Sequence, residues 1–464
     1  MCGITGLLYK KRNNAIEIYE SLLSIQHRGQ DGAGICCVDT NIINNKIIKG
    51  KGLICNLFLS DELKNLNGIF FLGHTRYKTN NIKDSFQPFI LTNSKLKMYF
   101  SHNGNIINVN LVEELLLNSF SIENKEFFSD SYLLFQLIFY FLINDMEDLV
   151  RHQNIVNLSN YLHKHVIGSF SIIMYIDNYG MVIMKDKYGI RPLVYGKNQE
   201  GDILVSSESC SLNNVLNYQL IQEVDPGETI VFSNNDNLAN FHYKYKDSFL
   251  SPCLFEYIYF SRLDSIVNNI SIYNSRYELG KLLGKIILKQ NKKIDFIIPT
   301  PETSRIYAYG MSEIMNIPIQ ECIIKNRYVN RTFIIENKNQ IEENIKRKFS
   351  VIKEIIKDKN VILLDDSIVR GNTSKNIIKL LRDCGVNKII FGSAAPKIYN
   401  TNKYGIYIEN KQELVTYKNK TNLEIANFIG ADEIYYNNIQ DVVKLIKSLN
   451  KNIKNMELSM FIDN

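Results

Sequence analysis

Val361-Ile362-Leu363-Leu364-Asp365-Asp366-Ser367-Ile368-Val369-Arg370-Gly371-Asn372-Thr373-Ser374 reads as a strand, two acids, a glycine-containing loop and the start of a helix. In an open parallel sheet, ligands bind beyond the carboxyl ends of the strands. Asp365 and Asp366 therefore belong at the rim of a crevice. Adjacent side chains at a strand end point to different sides. They can grip two neighbouring ribose hydroxyls, or act through a Mg²⁺ that those hydroxyls share. Gly371 permits a backbone conformation that a side chain would obstruct. The helix start supplies N–H groups, and Thr373 and Ser374 supply hydroxyls, which together suit a phosphate. An Asp-Asp pair alone is an ordinary strand end. Here strand, acids, loop and helix agree in order.

The surrounding sequence has the same rhythm. Ile294 to Pro299, Val361 to Leu364 and Lys388 to Phe391 are short apolar strands, separated by helical stretches near 273–290, 302–315 and 373–384. Strand–helix alternation predicts a mostly parallel sheet with helices on its faces. The first half differs. Ile69 to Leu72, Ser171 to Ile176 and Met181 to Met184 are apolar runs broken by Gly, Asn and Asp, as in sandwiched sheets. Helical stretches interrupt them near 13–26 and 130–145. Asp225-Pro226-Gly227-Glu228 is a turn into the strand Thr229 to Phe232. Ser233 to Asn237 is a linker or a hairpin tip. The expected units are 2–235, 250–445 and a helical C-terminal extension, 446–464.

At the other end stands Met1-Cys2-Gly3-Ile4-Thr5-Gly6. The small Cys2 side chain permits removal of Met1. The mature chain would then begin with a thiol beside its own α-amine, whose unperturbed pKa of ~7.7–8.0 leaves part of it as free base. Such an amine activates a terminal nucleophile without a separate histidine.

Composition narrows the class. Of 464 residues, 45% are hydrophobic and 22% charged, the proportions of a soluble globular protein of two to four domains. The net charge of +6 is only mildly basic, and no basic stripe interleaved with aromatics marks a nucleic-acid binder. The longest apolar run, Leu133 to Ile143, is too short to span a bilayer and fits a buried helix. Residues 1–30 carry no secretory pattern. The eight cysteines are scattered without a CxxC pair, which implies a reduced, cytoplasmic chain.

The segment 361–374 closely resembles the ribose-5-phosphate motif of type I phosphoribosyltransferases, which use 5-phosphoribosyl 1-diphosphate (PRPP). Pro299 to Ser304 is similar to their pyrophosphate loop. Lys325-Asn326-Arg327-Tyr328-Val329-Asn330-Arg331-Thr332-Phe333 resembles the start of the mobile loop that closes over the diphosphate, and Arg347-Lys348 its end. Together the two halves resemble the glutamine phosphoribosylpyrophosphate amidotransferase family. The resemblance runs from Cys2 to about Glu433 through Gln26 to Asp31, Gly73 to Tyr77, His102 to Asn105, Ser129 to Ser131, Gly189 to Leu193, Pro252 to Phe260, Ser393 to Pro396 and Ile429 to Asp432.

The resemblance implies a fold: a four-layer αββα N-terminal-nucleophile domain, then a type I phosphoribosyltransferase α/β domain. It also implies roles. Cys2 attacks the glutamine amide, Asn103 and Gly104 form the oxyanion hole, Arg76 holds the substrate carboxylate and Asp130 its ammonium. Asp365, Asp366, Ser367, Arg370, Gly371, Asn372, Thr373 and Ser374, with Lys325, Arg327 and Tyr328, bind PRPP. Asp365, Asp366 and Thr303 contact one Mg²⁺ per subunit. Ammonia freed at Cys2 displaces diphosphate from PRPP, giving 5-phosphoribosylamine, the first committed step of purine synthesis. Purine nucleotides as feedback inhibitors and a homotetramer follow from the family, with no nucleic acid or membrane as partner.

The chain also departs from the family pattern. Some relatives carry a [4Fe–4S] cluster, which needs a C-terminal CxxC pair; no cysteine follows Cys384, so no cluster is expected and Cys253 reads as a buried structural thiol. Asn330, Tyr132 and Lys185 to Tyr188 also differ. Asparagine and glucosamine-6-phosphate synthases share a terminal Cys, but the 365–374 motif and the lack of a Ser-Gly-Gly adenylation loop disfavour them. A non-catalytic PRPP sensor would have lost Cys2, Asn103 or the loop cations, and all are present.

Overall fold

Side chains alternating between two faces build the first half. In strand Gly3–Asn14, Leu7 packs under helix Ile16–Ser24, whereas Ile4 and Leu8 face a second sheet. In strand Lys97–Ile106, Tyr99 lies between the sheets, and Met98 and Phe100 pack under helices. The computed structural model describes residues 2–39, 46–77, 85–120, 129–213, 216–233, 240–326, 328, 347–406, 408 and 410–463. Two antiparallel sheets, of seven and six strands, stack face to face. Gly3–Asn14 lies between Ile203–Ser206 and Asn67–Arg76 in one. Gly168–Ile176 lies between Lys97–Ile106 and Gly180–Lys185 in the other. Helices Asp130–Asp145 and His152–His165 cover the outer face of the second sheet, completing four layers, αββα. Asp130–Asp145 is apolar nearly all round because it is enclosed.

Two first-half expectations need correction. Strand Gly3–Asn14 runs further than expected, and the helix starts only at Ile16, because Asn13 and Asn14 pair with Gly68 and Asn67. Glu228–Ser233 pairs antiparallel with Phe241–Lys244, so the first unit continues past 235 to Lys244; of the expected linker or hairpin tip Ser233 to Asn237, all but Ser233 lies outside the described residues. Helices Val109–Phe120 and His152–His165 add to the two expected from sequence.

The second half centres on a four-stranded parallel sheet ordered Phe296–Pro299, Asn360–Asp365, Lys388–Ser393, Glu433–Tyr436. Ile362, Leu364 and Ile390 face helices Ile272–Leu288, Arg305–Met315 and Ile439–Leu449. Val361, Leu363 and Ile389 face helices Asn372–Asp383 and Asn422–Ile429. Both faces are therefore covered, as strand–helix alternation requires. The expected helical extension 446–464 is also corrected. The last helix ends at Leu449, where Asn450 to Asn452 interrupt the apolar pattern, and 450–463 continue without helix. Met456, Met460 and Phe461 of that tail are buried against the second-half core.

Candidate active site

Strand pairing assembles the first site. Gly3 pairs with Thr75 and Ile4 with His74, which carries Cys2 to the end of strand Asn67–Arg76. The half-buried Cys2 places Sγ 3.9 Å from Tyr77 O, and its backbone N–H donates to Asn103 Oδ1 at 3.2 Å. With Met1 attached this nitrogen is an amide and no base; removing Met1 turns the same atom into an α-amine. Asn103 is fully buried, and its Nδ2 has no hydrogen-bond partner among the described residues. A buried donor left unpaired costs ~1–3 kcal/mol, so a ligand oxygen at this position would relieve a standing penalty.

Gly104 follows in the same strand, opposite Phe170. A Cβ there would lie 1.9 Å from Ser169 O, so only glycine fits. His102 stacks the strand in place: Nδ1 meets Ser131 Oγ at 2.8 Å and Nε2 meets Ser169 O at 3.3 Å. Burial lowers its pKa, which favours the neutral ring. Asp130 opens helix Asp130–Asp145 behind the cap residue Ser129, and its Oδ2 accepts Ile106 N–H at 3.0 Å. The Arg76 guanidinium lies 5.1 Å over the Phe86 ring. Tyr132, one of the departures, packs edge-on against Phe89 at 5.2 Å.

The second site lies at the carboxyl end of Asn360–Asp365. Asp365 and Asp366 are both buried. Ser304 Oγ donates to Asp365 Oδ1 at 3.1 Å, Ser367 Oγ donates to Asp366 Oδ1 at 2.6 Å, and the Thr303 hydroxyl bonds Asp366. Burial, then the neighbouring Asp366, pushes the Asp365 carboxyl well above its usual range. Burial also raises Asp366, against the pull of Ser367 and Thr303. Two crowded carboxylates beside hydroxyls form a hard-oxygen donor set, and among the described residues no third acid, His or Cys joins them. That set fits Mg²⁺, which takes one or two protein carboxylates and fills its remaining positions with water and substrate phosphate. Thr300 Oγ1, in the facing loop, is buried with no hydrogen-bond partner among the described residues.

Gly371, at φ +79°, caps helix Asn372–Asp383. Ser374 is buried, while Asn372 and Thr373 face outward at the helix start. Arg370 turns aside: its Nε donates to Glu413 Oε2 at 2.6 Å. Lys325 ends strand Ile323–Lys325, opposite Phe349. Tyr328 is exposed, with its N–H on Asn326 Oδ1 at 3.0 Å. Arg327, Asn330 and most of 325–348 lie outside the described residues.

One cluster had no role assigned from sequence. Arg28, fully buried, donates from Nε to Cys2 O at 3.1 Å, from Nη2 to Glu256 Oε1 at 2.8 Å and from Nη1 to Glu208 Oε1 at 2.5 Å. Arg191, also buried, bonds Glu256 at 3.4 Å and, through Nε, Tyr404 O of the second half at 3.1 Å. A signal was present in Pro252 to Phe260, where Glu256 is the one charged residue in a stretch that is buried but for Tyr259.

Known proteins resemble this chain along nearly its whole length. Residues 74–214 match the glutamine amidotransferase domain family, and residues 270–404 match the phosphoribosyl transferase domain family. The amidophosphoribosyltransferase of Haemophilus influenzae is 35% identical over 471 residues, spanning 99% of this chain and 92% of the relative. That of Methanocaldococcus jannaschii is 34% identical over 464 residues, spanning 96% and 94%. A solved structure of glutamine PRPP amidotransferase from B. subtilis, complexed with ADP and GMP, superposes with a TM-score of 0.84 at 30% identity, covering 99% of this chain and 96% of that one.

Proposed function

The chain belongs to the amidophosphoribosyltransferase family, and from that premise we propose how its residues divide the work. The enzyme is a glutamine-dependent pentosyltransferase: it takes nitrogen from glutamine, transfers it to PRPP and so begins purine biosynthesis.

Cys2 Sγ attacks the glutamine amide carbon, and its own α-amine takes the thiol proton. The amide oxygen becomes an oxyanion, held by Asn103 Nδ2 and Gly104 N–H. The proton passes to the leaving nitrogen, ammonia departs, and water hydrolyses the thioester to glutamate. Arg76 and Asp130 hold the substrate carboxylate and ammonium. The observation that supports this reading most is the unpartnered Asn103 Nδ2, in the side chain whose Oδ1 already holds the Cys2 nitrogen.

At the second site ammonia attacks C1 of PRPP and diphosphate leaves. Gly371, Asn372, Thr373 and Ser374 cradle the 5-phosphate at the helix start. Asp365 and Asp366 hold the ribose hydroxyls, with Ser367, Arg370, Lys325, Arg327 and Tyr328 around the substrate. Asp365, Asp366 and Thr303 would hold one Mg²⁺, which neutralises the diphosphate charge when bound. No cluster enters this reading, and Cys253 is a packing thiol that burial pushes up to about 12. Feedback by purine nucleotides, assembly as a tetramer and a cytoplasmic location complete the proposal. The ADP and GMP in the B. subtilis structure support the first. Among the described residues no helix is long and apolar enough to cross a membrane.

The test measures glutamate release with and without PRPP and Mg²⁺. Release should rise with PRPP and vanish in Cys2→Ala, while ammonium salts still sustain phosphoribosylamine synthesis in that variant. Glutamine turnover indifferent to PRPP would count against coupling of the two sites.

A further inference from the structure

We propose that Glu457, in the C-terminal tail, is a positioning residue for the glutamine site, because it holds second-domain loop 402–406 against the strand that carries Asn103 and Gly104. The inference rests on the reading of that strand as the oxyanion-binding element.

The tail is built into the molecule. Lys454 N–H donates to Leu250 O at 3.0 Å and Glu457 N–H to Pro252 O at 2.9 Å. Tyr399 N–H donates to Met460 O at 2.7 Å. Within this frame both carboxylate oxygens of Glu457 are engaged: Oε1 accepts Ser459 N–H at 2.7 Å, and Oε2 accepts Asn402 Nδ2 at 3.0 Å. Glu457 is 9% exposed, so the bond to Asn402 is charge-assisted and largely shielded from water.

Asn402 passes the constraint on. Its Oδ1 accepts the N–H groups of Tyr404 at 2.8 Å and Ile406 at 3.2 Å, which folds 402–406 into a tight turn. That turn rests on the glutamine-site strand and on its neighbour Gly168–Ile176. Asn105 Nδ2 donates to Lys403 O at 2.9 Å, and Ser169 Oγ donates to Tyr404 O at 3.0 Å. Gly405, at φ +110°, lies so close that a Cβ there would come within 3.3 Å of Gly104 O. Loop 402–406 is thus the outer wall of the Gly104–Asn105 backbone; Arg191 holds it at Tyr404 O, and Glu457 holds it at Asn402. Oxyanion donors act through fixed placement, so a wall that shifts lowers turnover more than substrate binding.

Asn402→Asp tests this. It keeps the oxygen that accepts Tyr404 and Ile406 N–H but sets a carboxylate against Glu457. The expected result is a fall of about 10-fold in glutamine-dependent kcat, a fraction of what losing an oxyanion donor outright removes, with ammonia-dependent synthesis unchanged. Adding Glu457→Gln to Asn402→Asp restores a donor–acceptor pair with the roles reversed, and glutamine-dependent kcat should return to within about twofold of the native value. Unchanged glutamine kcat in Asn402→Asp, equal loss of glutamine- and ammonia-dependent activities, or no recovery in the double variant would overturn the proposal. Failure of the underlying assignment looks different: the native chain would release no glutamate, or Cys2→Ala would release it at the native rate.

Discussion

Arg28 and Glu256, 228 residues apart, meet as a buried two-pronged ion pair, Nη2 to Oε1 at 2.8 Å and Nη1 to Oε2 at 3.1 Å. The same guanidinium holds Cys2 O, so the first residues of one domain are tied to the segment that leads into the other. A buried pair is weak evidence of net stability, but removing one partner leaves an uncompensated charge.

Arg28→Ala should therefore lower unfolding free energy by ~3–5 kcal/mol, read as a shift of the urea midpoint at constant slope. Burial by itself would raise the Glu256 carboxyl, but Arg28 and Arg191 outweigh it and hold it below the usual range. A depressed folded pKa adds stability above the unfolded value, ~4.3 for Glu, and loses it as pH falls through the folded value. The native chain should lose stability steeply below about pH 4, and Glu256→Gln should flatten that acid limb. An acid limb of equal slope in both proteins would refute the pairing's contribution.

Asn103→Ala removes the unpaired donor. Glutamine-dependent kcat should fall ~10²–10³-fold while ammonia-dependent synthesis persists, measured by the two assays side by side. Gly104→Ala should be worse for the fold, because its methyl would meet Ser169 O. A lowered melting temperature together with lost glutaminase is the expected result there.

Removal of Met1 is the third prediction. Intact-mass spectrometry of active preparations should show Cys2 as the first residue, and a variant blocked in processing should lose glutaminase alone. The geometry gives the reason: the Cys2 nitrogen already sits 3.2 Å from Asn103 Oδ1, and only as an amine can it accept a proton. Full glutamine turnover with Met1 retained would refute the amine's role.

Features legible in the sequence are those whose chemistry sits within a few consecutive residues. Leu364-Asp365-Asp366 at a strand end and Asn103-Gly104 each show their surroundings locally. Partnerships across the chain do not. Nothing around Arg28, in the polar run Gln26 to Asp31, points to Glu208 or Glu256, because a charge that folding buries must be paired but its chain neighbours do not say with what. Asn402 and Glu457 belong to no motif, and their link exists only once the tail has folded back. Asn13-Asn14 misplaced a boundary for a related reason: a polar pair before an apolar run reads as a helix start, yet pairing with Gly68 and Asn67 keeps it in a strand.

The paired acids at the second site imply a trade between stability and function. Burial and mutual repulsion raise the Asp365 pKa in the folded chain. For an acid this means that folded stability is greatest below the unfolded pKa of ~3.9 and declines as pH rises towards the folded value. At neutral pH the ligand-free protein therefore carries a strained pair, which a bound cation and ribose hydroxyls would relieve. Asp365→Asn should raise the melting temperature of the ligand-free chain while raising KM for PRPP by 10-fold or more, about 1.4 kcal/mol of lost binding at the least. Mg²⁺ with PRPP should stabilise the native chain more than the variant. A variant melting below the native chain without ligand would show that Ser304 and the Asp366 N–H, both bonded to Asp365 Oδ1, already satisfy the carboxylate.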